Sequence, residues 1–385
     1  MPQTNREIQT MQIHVSRRDL MRGMLAGAVS LAVTPAASVQ LGPPPGVITL
    51  RYNENPYGPS PSALKAAAEA AALGAYYPGS IEDDLLRVIA RRNGLTRENM
   101  VLSSGSNEAL QAALVAWGKK GRILLPELTY SAHLDYARRM GVELVRVPLR
   151  EDMSIDLEAM DAAVDESISL VYVCNPNNPT GMTLDGDMLR DFCRSIGNKA
   201  VVLVDEAYIE LTDNPEHTSV VDLVSEEQNI IVMRTFSKIF GMAGLRVGYG
   251  MARPDLAETI VDYLMAWPNG VGLAAALASY NDEQFINFSR AKIFEGREMV
   301  NETFRKNGIE PLPSQANFVY ADIGRNASEF RKLMAGRNIL IRGSFGHYSN
   351  YTRVSMGKLE DLKVFDRVFT ELYQAREQKV ARLGG

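Results

Sequence analysis

The sequence predicts an α/β protein: a large domain built on a mostly parallel sheet, with a smaller α+β domain beside it. Two observations carry that expectation. Between about residues 99 and 265, short β-branched runs alternate with stretches of helical periodicity. Such alternation, with strands apolar throughout, marks a sheet covered on both faces. After Glu283 a long charged helical stretch precedes shorter strands and a terminal helix, which reads as a second, smaller layer.

Taken in order, the expected strands of the large domain are Asn99–Leu102, Arg122–Leu125, Val142–Val147, Leu170–Cys174, Ala200–Val204, Asn229–Met233 and Leu245–Tyr249. Each is short, rich in Val, Ile and Leu, and followed by turn residues. Helical spacing of apolar residues appears in Glu108–Trp117, Tyr130–Met140, Leu157–Val164, Asp185–Ser195 and Leu256–Met265. The smaller domain is expected to hold strands at Asn317–Ala321, Ile339–Ile341 and Tyr351–Ser355, then a helix from about Leu359 to Ala381. No internal repeat is visible.

Composition limits the function. The chain has 385 residues and 46% apolar content, enough for a large core and two closely packed domains. Net charge is -5 and no long basic block lies beyond the N-terminus, so there is no nucleic-acid footprint. Cys174 and Cys193 are the only cysteines, which excludes a disulfide framework or a cysteine-based metal site. His14, His133, His217 and His347 are scattered without metal-ligand spacing. No metal is expected.

The first forty residues differ from the rest. Arg17-Arg18-Asp19-Leu20 precedes the mildly apolar Gly23–Val33 and the small residues of Thr34–Ser38. This is the shape of an export signal of the twin-arginine type. The expectation is therefore a signal peptide at 1–38 and a periplasmic protein, the alternative being a cytoplasmic one with an accidental Arg-Arg pair. The apolar stretch is too short for a membrane span, so no stable membrane anchor is expected. Residues 39–46, rich in Pro and Gly, read as a linker. The remaining divisions are an N-terminal arm of the small domain at 47–75, the large domain at 76–282 and the small domain at 283–385.

In an open parallel sheet, ligands gather at the carboxyl ends of the strands. Ser103-Ser-Gly-Ser106-Asn107 runs from a strand into a helix, where free backbone N–H groups attract an anion; an ordinary helix cap is the plainer reading. Tyr130 follows the next strand and can stack on a flat heterocycle or simply fill the core. Cys174-Asn-Pro-Asn-Asn178-Pro-Thr-Gly181 is a dense turn cluster, with Asn178 available as a donor. Asp205 ends a very apolar strand, so its carboxylate needs a cationic partner, and Tyr208 lies three residues on. Thr235-Phe-Ser237-Lys238 leads through a Gly-rich bend to Arg246. A lysine there can form a Schiff base with an aldehyde cofactor while serine and arginine hold that cofactor's phosphate.

These pieces occur in one order: phosphate cup, ring, Asn, Asp/Tyr, Ser-Lys, Arg. In that order the chain resembles the fold-type I pyridoxal 5'-phosphate enzymes of the class I/II aminotransferases, and within them the histidinol-phosphate aminotransferase family. The resemblance runs from about Val47 to the C-terminal helix. It rests on Tyr52–Pro61, Tyr76-Tyr77-Pro78, Asn175–Gly181, Asp205–Tyr208, Thr235–Gly250 and Arg353–Gly357.

The resemblance implies the cofactor and a role for each matching residue. Lys238 would be the Schiff-base lysine and the proton carrier, and Asp205 would pair with the pyridine nitrogen. Tyr208 and Asn178 would bond the phenolic oxygen, and Tyr130 would stack on the ring. Ser106, Asn107, Ser237 and Arg246 would hold the phosphate, joined by Tyr77 of a second subunit in a homodimer with shared sites. Arg353 would grip the substrate carboxylate, or that end of the substrate, with Tyr57 and Arg342 near the distal part of the substrate and Asn55 in the same N-terminal segment as Tyr57, also read as substrate-binding. The implied partners are an amine donor and a 2-oxo acid acceptor. A decarboxylase or oxidase with the same cofactor would use the same Lys238 and Asp205, and a non-catalytic ligand-binding relative would keep only the scaffold. Trp267-Pro-Asn-Gly-Val-Gly272 departs from the family pattern, and its glycines are expected to alter polarity near the substrate.

Overall fold

A seven-stranded sheet organises the protein, as seen in a computed structural model that describes residues 42–226 and 228–383. The expected signal peptide and the start of the linker lie outside the described residues. The strands of this sheet are β2 (Met100–Ser103), β3 (Arg122–Pro126), β4 (Leu144–Val147), β5 (Ile168–Cys174), β6 (Val201–Asp205), β7 (Ile230–Thr235) and β8 (Gly248–Ala252). Their spatial order is β2-β8-β7-β6-β5-β3-β4. The sheet is parallel except for β8, which runs against both of its neighbours.

Burial on both faces explains why these strands are apolar throughout. Along β5, Leu170, Tyr172 and Cys174 enter one core cluster and Val171 and Val173 enter the other. In β6, Leu203 parts from Val202 and Val204 in the same way. Period-two alternation thus divides residues between two buried layers rather than between core and water. Helices Ser106–Gly118 and Pro254–Val261 supply the layer around Leu170, and Gly186–Gly197 supplies the other.

The expected strands appear within about three residues of their places. The largest shift is at β8, expected at Leu245–Tyr249. Ala243–Leu245 instead closes a single 3-10 turn, and Arg246 takes a left-handed backbone with φ 54°. A strand cannot begin until that turn is complete.

The rest of the fold is smaller. A short β1 (Ile48–Leu50) pairs in parallel with β10 (Ile339–Ile341), and β9 (Phe318–Asp322) pairs antiparallel with β11 (Tyr351–Ser355). An isolated bridge sets Arg342 opposite Arg353. The long helices Glu283–Arg305 and Leu359–Leu383 pack against each other beside these strands.

Helices Pro61–Ala71, Ile81–Arg92, Gly270–Tyr280 and Ala327–Ala335 were not anticipated, and the first and third pack together. Pro61–Ala71 is alanine-rich, and Gly270–Tyr280 is almost wholly apolar and shows no clear amphipathic stripe. Local caps define them: Ser60 Oγ accepts from Ala63 N at 3.1 Å, and Asn269 Oδ1 accepts from Gly272 N at 2.6 Å. Among the described residues, no helix is long and apolar enough to cross a membrane.

Candidate active site

The carboxyl ends of β2, β3, β5, β6 and β7 surround one cavity of about 510 Å³. Ser106 and Asn107 enter it from β2, Tyr130 from β3, Asn178 from β5, Asp205 and Tyr208 from β6, and Ser237 and Lys238 from β7. Arg246 arrives just before β8. Arg342 and Arg353 close the cavity from the smaller strands.

Asp205 is 2% exposed, and burial pushes its carboxyl up to about 6. Hydrogen bonds from Tyr172 Oη at 3.2 Å and Ala207 N at 3.2 Å oppose that rise, as does the charge of Lys238. Burial moves Lys238 the other way, down to about 8, with Arg353 adding to the fall and Asp205 resisting it. A carboxylate that needs a cation and an amine that sheds its proton readily face one cavity.

Tyr208 is buried with its ring edge-on to Phe318. Its hydroxyl accepts from Asn178 Nδ2 at 3.4 Å and from Asn53 Nδ2 at 3.0 Å. Asn178 Oδ1 in turn accepts from Arg353 Nη1 at 2.5 Å. A second Arg353 bond, from Nη2 to Arg51 O at 2.9 Å, aims the guanidinium along the cavity wall.

The cavity is anion-seeking at its β2–β8 side. Arg246 Nη1 donates to Ser237 Oγ at 3.4 Å and to Ala243 O at 2.9 Å, and Nη2 to Ser104 O at 3.4 Å. These bonds lay the guanidinium beside the start of helix Ser106–Gly118. Gly105, with φ +76°, makes room: a Cβ there would lie 2.0 Å from Arg246 Nη2. Helix N-terminus and guanidinium together suit a phosphate.

Tyr130 forms one wall. Its hydroxyl donates to Asn107 Oδ1 at 3.3 Å, and burial pushes its pKa up to about 12. Behind it His133, fully buried and held neutral by burial, lies between the rings of Tyr130 and Tyr172.

Residues 45–367 match the family Aminotransferase class I and II. The chain belongs to that family. This aminotransferase is 35% identical to the histidinol-phosphate aminotransferase of Symbiobacterium thermophilum, over 83% of this chain and 88% of the relative. It is 34% identical to that of Moorella thermoacetica, over 85% of each. Among solved structures it resembles histidinol-phosphate aminotransferase from Sinorhizobium meliloti in complex with pyridoxal-5'-phosphate. There the TM-score is 0.78 at 27% identity, covering 91% of this chain and 99% of that one. The protein is a pyridoxal 5'-phosphate-dependent aminotransferase of the fold-type I architecture, as the sequence led us to expect.

The residues present fit that cofactor. A buried carboxylate suits a protonated ring nitrogen, the Arg246 cradle suits a phosphate, and an amine of lowered pKa suits an aldehyde.

The structure does not bring every expected residue to the cavity. Asn55 Nδ2 donates to Ile239 O at 2.8 Å and to Ser289 Oγ at 2.6 Å, while the Tyr57 hydroxyl accepts from Leu359 N at 3.1 Å. Neither lines the cavity. Both hold the N-terminal segment against the lysine loop and the C-terminal helix. Tyr77, expected at the site of a second copy, is 82% exposed and stands edge-on to Trp267, outside the cavity of its own chain. Gly272 has a packing role: its Cβ would lie 2.4 Å from Leu245 O. Gly272 thus lets its helix approach the Arg246 turn, whereas Gly270 faces Pro78, and neither lines the cavity.

Sequence reasoning missed Asn53, Arg51 and Phe345, all cavity residues. Asn53 is the most connected of them. It is 2% exposed with φ +57°. Its carbonyl accepts from Lys238 Nζ at 3.1 Å, and its backbone N donates to Ser355 Oγ at 2.9 Å. The signal that would have found it is its place two residues before Asn55, inside a motif already singled out.

Proposed function

We propose that Lys238 is the reacting amine of this aminotransferase and that the other cavity residues position the cofactor and the donor. The observation that carries the reading is the juxtaposition of a Lys238 amine lowered to about 8 with the buried Asp205. Bound pyridoxal 5'-phosphate supplies an aldehyde that joins amines and a protonated ring that withdraws electrons from the substrate carbon. Asp205 holds the ring protonated. Tyr208 and Asn178 hold the phenolic oxygen, and Tyr130 covers one ring face. Ser106, Asn107, Ser237 and Arg246 hold the phosphate. Arg353 grips the donor's α-carboxylate, or the anionic group at that end of a donor without one, with its planar fork, and Arg342 lies toward the donor's distal end. Lys238 Nζ then takes the proton from the substrate α-carbon and returns it to the cofactor side, as general base and acid.

The donor is an amino acid or related amine and the acceptor a 2-oxo acid. Histidinol phosphate, the compound in the relatives' names, belongs first in a donor panel. The test is to mix holoenzyme with each donor, follow the cofactor spectrum, and assay the oxo product. A 2-oxo acid should restore the starting spectrum, and Lys238→Ala should abolish the cycle. A spectrum indifferent to every donor would sink the assignment.

We also infer a homodimer in which Tyr77 reaches the cofactor phosphate of the second copy. Tyr76, Tyr77, Met265 and Trp267 are each more than three-quarters exposed, an apolar group suited to burial against another chain. Sedimentation should give a dimer; a fully active monomer would remove the inference. Export of the protein through residues 1–38 is a further part of the proposal. Replacing Arg17 and Arg18 by Lys should deplete the periplasmic fraction, and an unchanged fraction would count against the twin-arginine route.

A further inference from the structure

The roles proposed above leave one cation of the cavity unused. Arg51, Lys238, Arg246, Arg342 and Arg353 line it, against the two acids Asp205 and Asp135. Asp205 is assigned to the cofactor ring, and Asp135 faces Arg138 at 3.9 Å. The cavity is therefore more cationic than the cofactor phosphate and one α-carboxylate require.

Arg51 is half-buried, yet its Nε is shielded from solvent and has no hydrogen-bond partner among the described residues. No ion pair or side-chain hydrogen bond engages the rest of its guanidinium among those residues. Arg342, at the same mouth, likewise has no ion pair among the described residues. Both are held by rings instead: Arg51 Cζ lies 4.5 Å from the Tyr52 centroid, and Arg342 Cζ lies 5.4 Å from that of Phe345. Arg353 stacks on the same Phe345 at 5.2 Å. A ring under a guanidinium holds its plane but leaves its N–H groups free.

Position adds to this. The Arg51 carbonyl accepts from Arg353 Nη2 at 2.9 Å, so the backbone of Arg51 is fixed to the residue read as gripping the α-carboxylate. Its side chain therefore leaves the backbone close to that grip. A cationic fork there meets whatever the donor carries beyond its α-carbon. Unpaired guanidinium near a desolvated cavity wall is costly unless an anion completes it.

We propose that Arg51 is a specificity residue that receives a second anionic group, a carboxylate or phosphate ester, at the end of the donor remote from the reacting carbon. This rests on the reading of Lys238 and Arg353 given above. The geometry of a guanidinium fork serves both anions, so the donors must distinguish them.

The experiment uses holoenzyme and pairs of amino acid donors that share the α-carboxylate and differ in the distal charge: L-glutamate with L-glutamine, and O-phospho-L-serine with L-serine. For each pair, the ratio of kcat/KM for the charged member to that for the neutral one is measured in wild type, Arg51→Ala and Arg51→Lys. Wild type should favour the charged member of at least one pair, and the favoured pair tells carboxylate from phosphate. Arg51→Ala should lower that ratio by about 10- to 100-fold, the scale of a lost charge-assisted pair. Arg51→Lys should recover part of it, as a point charge without the fork. Retention of the bound-cofactor spectrum shows that each variant is folded. Equal losses for both members of every pair would make Arg51 a structural residue and overturn the proposal, as would an unchanged ratio. A wild type that reacts with no donor at all would instead overturn the reading of Lys238 on which the proposal stands.

Discussion

Asn53 donates its side-chain amide to the Tyr208 hydroxyl at 3.0 Å. Through its own carbonyl it also receives Lys238 Nζ. One residue of the N-terminal segment thus touches the phenol and the amine that carry the proposed chemistry. Ser355 Oγ, donating to Asn53 Oδ1 at 2.8 Å, and Asn317 Nδ2, donating to Asn53 O at 2.9 Å, hold it in place. Its left-handed backbone is one that asparagine tolerates better than most residues.

Asn53→Ala should lose about 1–3 kcal/mol of stability, because a buried donor and acceptor disappear together. Turnover should fall with it. Asn53→Gly should recover about 1 kcal/mol by relieving the left-handed backbone, yet leave turnover low. Denaturant unfolding and steady-state rates on the two variants separate these effects. An alanine variant with wild-type stability and turnover would remove Asn53 from the site.

Cofactor capture should follow the free amine of Lys238. The fold lowers this amine from 10.5 to about 8, so uptake by cofactor-free protein should rise roughly tenfold from pH 7 to pH 9 and then level off. Over the window from about 8 to 10.5 the folded protein has released this proton and the unfolded chain has kept it. This group alone therefore makes the cofactor-free protein more stable as pH rises through that window. Arg353→Gln should move the midpoint of uptake upward, since the Arg353 charge helps depress the amine. Rapid-mixing absorbance across pH reads both effects.

Asp205 titrates with the opposite sense. Its folded pKa is raised from 3.8 to about 6, so stability contributed by its neutral form is complete below about 3.8 and lost as pH rises through about 6. A protonated Asp205 cannot pair with a cationic ring. Affinity for pyridoxal 5'-phosphate should therefore weaken as pH falls below about 6. Asp205→Asn should bind the cofactor without that pH dependence and lose about 100-fold or more in kcat. Equilibrium titrations between pH 5 and 7, with and without the substitution, make the comparison.

Gly105→Ala should weaken phosphate binding although position 105 offers no side chain to the ligand. The new methyl would collide with Arg246 Nη2 and meet an unfavourable backbone at φ +76°. Affinity for the cofactor should fall by about 10- to 100-fold, as when a charge-assisted pair is displaced. Arg246→Ala should match it. A Gly105→Ala protein with wild-type affinity would mean that Arg246 has another place to go.

The sheet and most of the cavity were legible because the two share one cause. A strand buried on both faces must be apolar and must end in polar residues, so Asp205 after Val201–Val204 and Asn178 after Ile168–Cys174 are conspicuous. Asn53, Arg51 and Phe345 were not legible because no strand of the large sheet delivers them. They depend on β1 joining β10 and on Arg342 facing Arg353, pairings between segments nearly three hundred residues apart or within irregular loops. Asn55 and Tyr57 show the converse. Their motif is plain in the sequence, yet Ser289 and Leu359, on distant helices, take their polar atoms. The helix Gly270–Tyr280 escaped notice because packing against Pro61–Ala71, not an amphipathic stripe, buries it.

The reversal of β8 has a mechanical consequence. Because β7 and β8 form a hairpin, Ser237, Lys238 and Arg246 all belong to the single loop that joins them. A parallel β8 would have carried its entry point to the far edge of the sheet, about 17 Å away for a five-residue strand. The residue proposed to hold the aldehyde end of the cofactor and the residue proposed to hold its phosphate are thus two points on one short ribbon pinned at both ends. A disturbance that shifts this ribbon carries both points in step, and the span between them stays matched to a ligand of fixed length.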